Sequence, residues 1–306
     1  MKSLALMLAL ALQLTGLWAH LPASTRQHLA NQAVGSPPAA AAPATTSAII
    51  SPALPIHLGT EPFAPDPHTS VLALDRTTAA PLFAQNATKQ RPIASVTKMI
   101  TTLVILSRHS PTELVTIAKL PAYTSDDDTI GLQPGETYRL GDLVRAALIP
   151  SANDAADTLA LYDSGSTTKF AAQMNLKLAA WGITGAHFTN PSGLQDTGNY
   201  ATAEALGKVA LLALQNPFIA QTVRQSSVSF TSTAGRTLTA TSTNDLLATG
   251  QFYGIKTGYT LAAGECFVGL AHLDGHDVIT VVLGSSDRFG ETQTLVNWIK
   301  RNYQWL

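Results

Sequence analysis

From residue 56 onward the chain alternates between two hydrophobic rhythms. SVLALD (70–75) and PLFAQN (81–86) are short apolar runs separated by the polar RTTAA, which predicts two strands joined by a turn. After Pro92 the spacing lengthens. Val96, Met99, Ile100, Leu103 and Val104 recur at three- and four-residue intervals, predicting a buried helix that starts at or just before Ser95. Further helices are expected over 142–149, 153–161, 168–181 and 203–214. The rhythm then shortens again. SSVSF, RTLTA, FYGIK, CFVGLAHL and VITVVLG read as strands, the last two joined by the hairpin turn Asp274-Gly275. ETQTLVNWIKRNYQWL predicts a closing helix that runs to the end of the chain.

Strands, a run of helices, then antiparallel strands and a helix predict an α+β protein. The first hairpin and the C-terminal strands can share one antiparallel sheet flanked by helices, with a helical subdomain inserted over about 95–225 and a cleft between the two. The N-terminus follows other rules. MKSLALMLALALQLTGLWA (1–19) has one early cation, Lys2, an apolar run from Leu4 to Leu12 and small residues by Ala19, the layout of a secretory signal peptide. An uncleaved leader, prolonged by Leu14, Leu17 and Trp18, would be the one route to membrane attachment. Residues 20–55 are rich in Ala, Pro, Ser and Thr without periodicity and read as a tether, leaving 56–306 as the folded domain. The expected location is therefore the periplasm or the outer face of the cell envelope.

Composition narrows the field. The 306 residues are 45% hydrophobic and 13% charged with a net charge of -1, so there is no basic excess to draw nucleic acid. Cys266 is the single cysteine, which excludes an intramolecular disulfide, and its alternating strand context suits a small buried hydrophobe. No HExxH or cysteine cluster indicates a metal, and no GxSxG elbow accompanies the eight histidines. A serine nucleophile here needs a base other than histidine.

Ser95 and Lys98 form a Ser-x-x-Lys pair, and so do Ser166 and Lys169. About one such match is expected by chance in a chain of this length, so context must separate them. Ser95 opens the most hydrophobic helix of the domain, where residues three apart share a face and the ammonium can reach the hydroxyl. Ser166, in DSGSTTKF, suits a helix N-cap. Two later elements supply partners for a lysine base. SANDAA (151–156) joins two helices, placing Ser151 and Asn153 at a turn into the cleft. GIKTGYT (254–260) lies on a predicted strand, with Lys256 projecting and Gly258 letting a ligand approach the backbone. Ser242 and Asn244 form a rival Ser-x-Asn, but they head a turn close to Lys256 and read as structural. Asp126 to Asp128 read as a solvated loop, and Asp154 and Asp157 as helix acids that complement the dipole.

The order Ser95, Ser151, Lys256 resembles that of the penicillin-binding serine D-Ala-D-Ala carboxypeptidases. The likeness runs through RPIASVTKMITTLV, LQPGETYRLGDLVRAALIPSANDAADTLA, FTNPSGLQDTGNYATAEALGKVA, STNDLL, GIKTGYTLAAGECFVGLA and VVLGSSDR. The resemblance implies a transpeptidase-like fold and a cofactor-free serine hydrolase acting on peptidoglycan stem peptides, with β-lactam antibiotics as covalent inhibitors. It implies catalytic roles for Ser95 as nucleophile, Lys98 as proton acceptor and Ser151 as relay to the leaving amine. Asn153 would hold Lys98 and the substrate amide, Lys256 and Thr257 would bind the terminal carboxylate, and the N–H groups of Ser95 and Tyr259 would form the oxyanion hole. Lys98 must then be a neutral amine, and burial beside a second cation, Lys256, would depress its pKa.

Tyr259 stands where relatives often carry His or Thr, and Ile130, Gly131 and Leu132 where they carry Met-Gly-Leu, so the cleft wall should differ. The chain stops after the catalytic domain, and attachment through its C-terminus is not expected. Three rival readings remain: a DD-endopeptidase using the same residues, a β-lactamase, and a non-catalytic wall-binding or sensor domain. Against the β-lactamase, Glu204 is the only acid candidate for a deacylating glutamate, and no asparagine follows it at the required offset.

Overall fold

The computed structural model describes residues 22–27, 53–194 and 198–306. The leader reading (1–19) and most of the tether reading (20–55) fall outside them. The chain divides into two units, Met1–Ser51 and Pro52–Leu306. In the first, the described residues carry one short helix at 23–27. Among the described residues no helix is long and apolar enough to cross a membrane.

The second unit begins with β1 (Pro55–His57), then the hairpin β2 (Ser70–Asp75) and β3 (Pro81–Gln85). A 3-10 turn at Ala94–Val96 leads into α1 (Thr97–Leu106). The ribbon β4 (Leu114–Thr116) and β5 (Thr137–Arg139) frames the next loop. Four helices come in quick succession: α2 (Leu140–Leu148), α3 (Asn153–Ser164), α4 (Thr167–Ala180) and, after the ribbon β6 (Ala186–His187) and β7 (Tyr200–Ala201), α5 (Ala203–Ala213). A short α6 (Pro217–Thr222) precedes the hairpin β8 (Ser227–Thr231) and β9 (Thr237–Thr241). The chain closes with β10 (Phe252–Thr260), β11 (Gly264–Leu273), β12 (His276–Ser285), α7 (Arg288–Asn302) and β13 (Tyr303–Trp305).

The main sheet has the order β10-β11-β12-β2-β3 and is antiparallel throughout. The expected union of first hairpin and C-terminal strands is therefore present, with β10 on an edge. Every residue of β2 is buried because helices cover both sides. Val71 and Ala73 join Val278, Leu295 and Ile299 of the α7 layer. Leu72 and Leu74 point the other way, toward α5, where Gly207 leaves room for them: a Cβ there would lie 2.8 Å from Leu72. The same period-two alternation thus supplies both cores.

Some boundaries differ from the sequence expectation. The first helix begins at Thr97, and Ser95 lies in the 3-10 turn ahead of it. Ala94 takes a left-handed φ of 49°, so the backbone turns sharply at the nucleophile candidate instead of entering a helix smoothly. The closing helix stops at Asn302, and residues 303–305 peel away to pair with β1. Hydrophobic spacing alone does not register that switch, because Tyr303 and Trp305 suit either period. β8 and β9 form their own hairpin apart from the main sheet.

Candidate active site

Three segments converge on the amine of Lys98. The side chain is fully buried, and its Nζ lies 2.7 Å from Ser95 Oγ. It lies 2.7 Å from Asn153 Oδ1 and 2.8 Å from the carbonyl oxygen of Ser192. Lys98 comes from the start of α1 and Ser95 from the 3-10 turn ahead of it, Asn153 from the first residue of α3, and Ser192 from the loop before β7. The Ser192 contact was not anticipated from sequence. Its one signal was PSG within the long family-like stretch.

That loop is held tightly. Asn190 accepts from the Gly193 N–H at 2.7 Å and donates to the Leu194 carbonyl, and Thr101 donates to the Pro191 carbonyl at 2.7 Å. Gly193 has φ 81°, and a Cβ on it would lie 1.9 Å from the Ala94 carbonyl oxygen. Only glycine lets this loop press on the nucleophile turn.

Gly258 presses on the same turn. A Cβ there would lie 2.9 Å from the Ile93 carbonyl and 3.1 Å from the Ser95 nitrogen. The expectation was that Gly258 admits a ligand. In the structure it admits the Ile93–Val96 backbone, which brings the N–H of Ser95 beside the strand that carries Tyr259. Tyr259 itself is 59% exposed, on the rim.

Burial lowers the Lys98 pKa to about 7, while the carboxylates of Asp128, Asp157 and Asp154 hold it up. Lys256, also buried, is lowered well below the usual lysine value, first by burial and then by the Lys98 charge. Burial, the first part of the expected cause, is the larger one for both lysines, and the repulsion between the two buried cations adds to it. Lys256 Nζ donates to the Thr257 carbonyl at 3.0 Å, and the buried Thr257 hydroxyl sits 2.5 Å from that of Thr243. Behind the strand, Arg288 Nη1 donates to the Gly258 carbonyl at 3.0 Å. Sequence reasoning missed this third cation, whose signal was the DR at the end of VVLGSSDR.

Ser151 occupies the link between α2 and α3, buried, with φ 69°. It shares the link with Asn153 but is bonded to neither Ser95 nor Lys98. The acids on α3 do more than complement a dipole. Asp154 accepts from the N–H groups of Ile130 and Leu132, and Asp157 accepts from the Tyr123 hydroxyl at 2.6 Å. Asn153 N–H donates to the Asp128 carbonyl at 2.8 Å. The first turn of α3 therefore fastens the 123–132 loop beside the cleft, and Asp128 belongs to this joint as well as to the solvated loop.

The structural readings of Ser166, Asn244 and Cys266 agree with the structure. Ser166 caps α4, accepting from the Lys169 N–H. Asn244 caps the short turn Asp245–Thr249. Cys266 is buried, and burial pushes its thiol up to about 11. Glu204 is exposed on the first turn of α5.

Comparison with known proteins agrees with this geometry. The profile of the family described as D-alanyl-D-alanine carboxypeptidase, Peptidase S11, matches residues 64–287. The chain is 30% identical over 248 residues to D-alanyl-D-alanine carboxypeptidase DacB2 of Mycobacterium tuberculosis, covering 78% of this chain and 84% of that one. It is likewise 30% identical over 241 residues to the D-alanyl-D-alanine endopeptidase of Escherichia coli, covering 76% of each. Among solved structures, penicillin-binding protein D2 of Listeria monocytogenes in its ampicillin-bound form superimposes with a TM-score of 0.64 at 30% identity, over 76% of this chain and 97% of that one. By sequence profile, relatives and fold together, the chain belongs to the D-alanyl-D-alanine carboxypeptidase family, S11.

Proposed function

We propose that the protein is a serine-type D-Ala-D-Ala carboxypeptidase that removes the terminal D-alanine from peptidoglycan stem peptides. One observation carries the reading. Of the three partners around Lys98 Nζ, two are carbonyl oxygens, which only accept, and the third is the Ser95 hydroxyl. A neutral amine has two N–H bonds and one lone pair. With both N–H groups directed at Asn153 and Ser192, the lone pair faces Ser95 Oγ. A pKa of about 7 leaves a large fraction of the amine in that form at neutral pH.

The chemistry follows. Ser95 Oγ attacks the carbonyl of the penultimate D-alanine while its proton passes to Lys98. The N–H groups of Ser95 and Tyr259 stabilise the oxyanion. The C–N bond breaks as the leaving amine takes a proton through Ser151, and water then hydrolyses the ester. Lys256 and Thr257 receive the terminal carboxylate. A β-lactam would enter the same path, but its leaving amine stays tethered and the ester persists. The leader-like residues 1–19 support an exported enzyme acting in the cell envelope. The endopeptidase reading uses the same residues on cross-linked peptides and is supported by the Escherichia coli relative.

The test is to incubate the protein with a pentapeptide stem and with cross-linked muropeptides and to identify products by mass. Release of D-alanine, lost in Ser95→Ala together with labelling by penicillin, is the expected result. Penicillin labelling that survives Ser95→Ala would remove Ser95 from the mechanism. Cleavage of the cross-linked species alone would favour the endopeptidase.

A further inference from the structure

The geometry points to Thr243 as a positioning residue that sets the direction of the Thr257 hydroxyl and thereby selects substrates with a terminal carboxylate. This rests on the proposed role of Thr257 as a carboxylate ligand.

Thr257 is buried on the edge strand β10, and its hydroxyl has one hydrogen-bond partner among the described residues, the Thr243 hydroxyl at 2.5 Å. Thr243 sits in a turn that is fixed on three sides. Its N–H donates to the Ile149 carbonyl at 3.2 Å, beside the link that carries Ser151. The Ser242 N–H donates to the Ser226 carbonyl at 2.8 Å, and Asn244 caps the turn that follows. The turn therefore spans from the helical part of the cleft to β10, and Thr243 is its contact with the strand.

A hydroxyl has one proton to give and two lone pairs to offer. In a pair of hydroxyls, one donates and the other accepts. A carboxylate only accepts. For Thr257 to donate to it, Thr257 must spend its proton outward and accept from its neighbour. Thr243 is the group placed to make that donation. In the free pair either hydroxyl can donate, and once a carboxylate takes the Thr257 proton, Thr243 can turn its own proton onto Thr257 and keep the pair bonded. A substrate without a terminal anion gains less from this arrangement, because a hydrogen bond to an ionised oxygen is the stronger one.

The test compares Thr243→Val, which keeps the shape and removes the donor, with Thr243→Ser, which keeps the donor. Two substrates are used: a D-Ala-D-Ala peptide, and an N-acyl-D-alanyl thioester whose leaving group carries no carboxylate. Thr243→Val should raise KM for the D-Ala-D-Ala peptide about tenfold, the scale of a weakened hydrogen bond to a charged group, with kcat little changed. The thioester should be processed as by the unaltered protein, and Thr243→Ser should restore the peptide KM. Unchanged KM in Thr243→Val overturns the inference, as does an equal loss on both substrates or a Thr243→Ser as impaired as the valine variant. Failure of the proposed function would look different, since the unaltered protein would then release no D-alanine.

Discussion

The chain holds two serine–lysine pairs with identical spacing, and the fold treats them in opposite ways. At Ser95 the lysine side chain turns back into the core and its amine meets the hydroxyl at 2.7 Å. At Ser166 the hydroxyl accepts instead from the backbone N–H of Lys169, whose side chain lies in solvent. Both serines stand at a helix start. What separates them is the burial of the lysine and the acceptors that surround it. Asn153 and Ser192 wait for Lys98, and the first pair is therefore the proposed reactive couple, while the second is a cap. Spacing offers an opportunity, and distant segments decide whether it is used.

The contrast can be broken most directly at the lysines. Lys98→Arg keeps the charge but cannot supply a lone pair, so acylation by penicillin should fall by roughly 10²–10⁴-fold, whereas Lys169→Arg should be indistinguishable from the unaltered protein. Near-normal acylation in Lys98→Arg would place the base elsewhere. Each pair also has a left-handed glycine close by. Gly193→Ala would drive a methyl group into the Ala94 carbonyl, and should cost about 3 kcal/mol in thermal or denaturant unfolding and slow acylation with it. Gly165→Ala, immediately before Ser166, meets nothing within 4 Å and should cost roughly 1 kcal/mol for its φ alone, with acylation intact.

The pH profile sharpens the comparison further. Below about 7 the Lys98 amine is protonated and its lone pair is lost, so acylation should fall about tenfold per pH unit on the acid side and level off above. Asp157 holds the Lys98 pKa up, so Asp157→Asn should move that acid limb to lower pH, which a merely structural defect would not do. The smallest effect is expected from Ser166→Ala. Loss of the cap should lower stability by about 1 kcal/mol and leave the acylation rate unchanged.

The α+β layout, the antiparallel sheet that joins the first hairpin to the C-terminal strands, and the members of the site were legible because each rests on a local signal. Periodicity marks β2, α1 and β12, and short motifs mark Ser95, Asn153 and Lys256. What escaped is non-local. The carbonyl of Ser192 carries no side-chain signature, since any residue type presents one. Arg288 reaches Gly258 from the turn after β12, a contact that only the folded sheet creates. Burial of Lys98 was expected, but how completely the side chain is enclosed, and which carboxylates oppose the effect, cannot be read from the sequence. Asp154 and Asp157 looked like helix-end acids, and their partners in the 123–132 loop appear only once that loop folds onto α3.

The two glycines that clasp the Ser95 turn have a bearing on how the protein comes into being. Ser95 is synthesised early, yet the surfaces that shape its backbone come from residues 193 and 258, about 100 and about 160 residues after it. A nascent chain emerging from its N-terminus carries the serine and lysine long before the mould that aligns them exists. The hydroxyl is thus an ordinary alcohol through most of translation, and reactivity arrives with the last third of the chain. On the proposed mechanism, acylation is in that sense a proofreading signal: an acylated Ser95 would report a molecule whose two halves have both been made and have found each other.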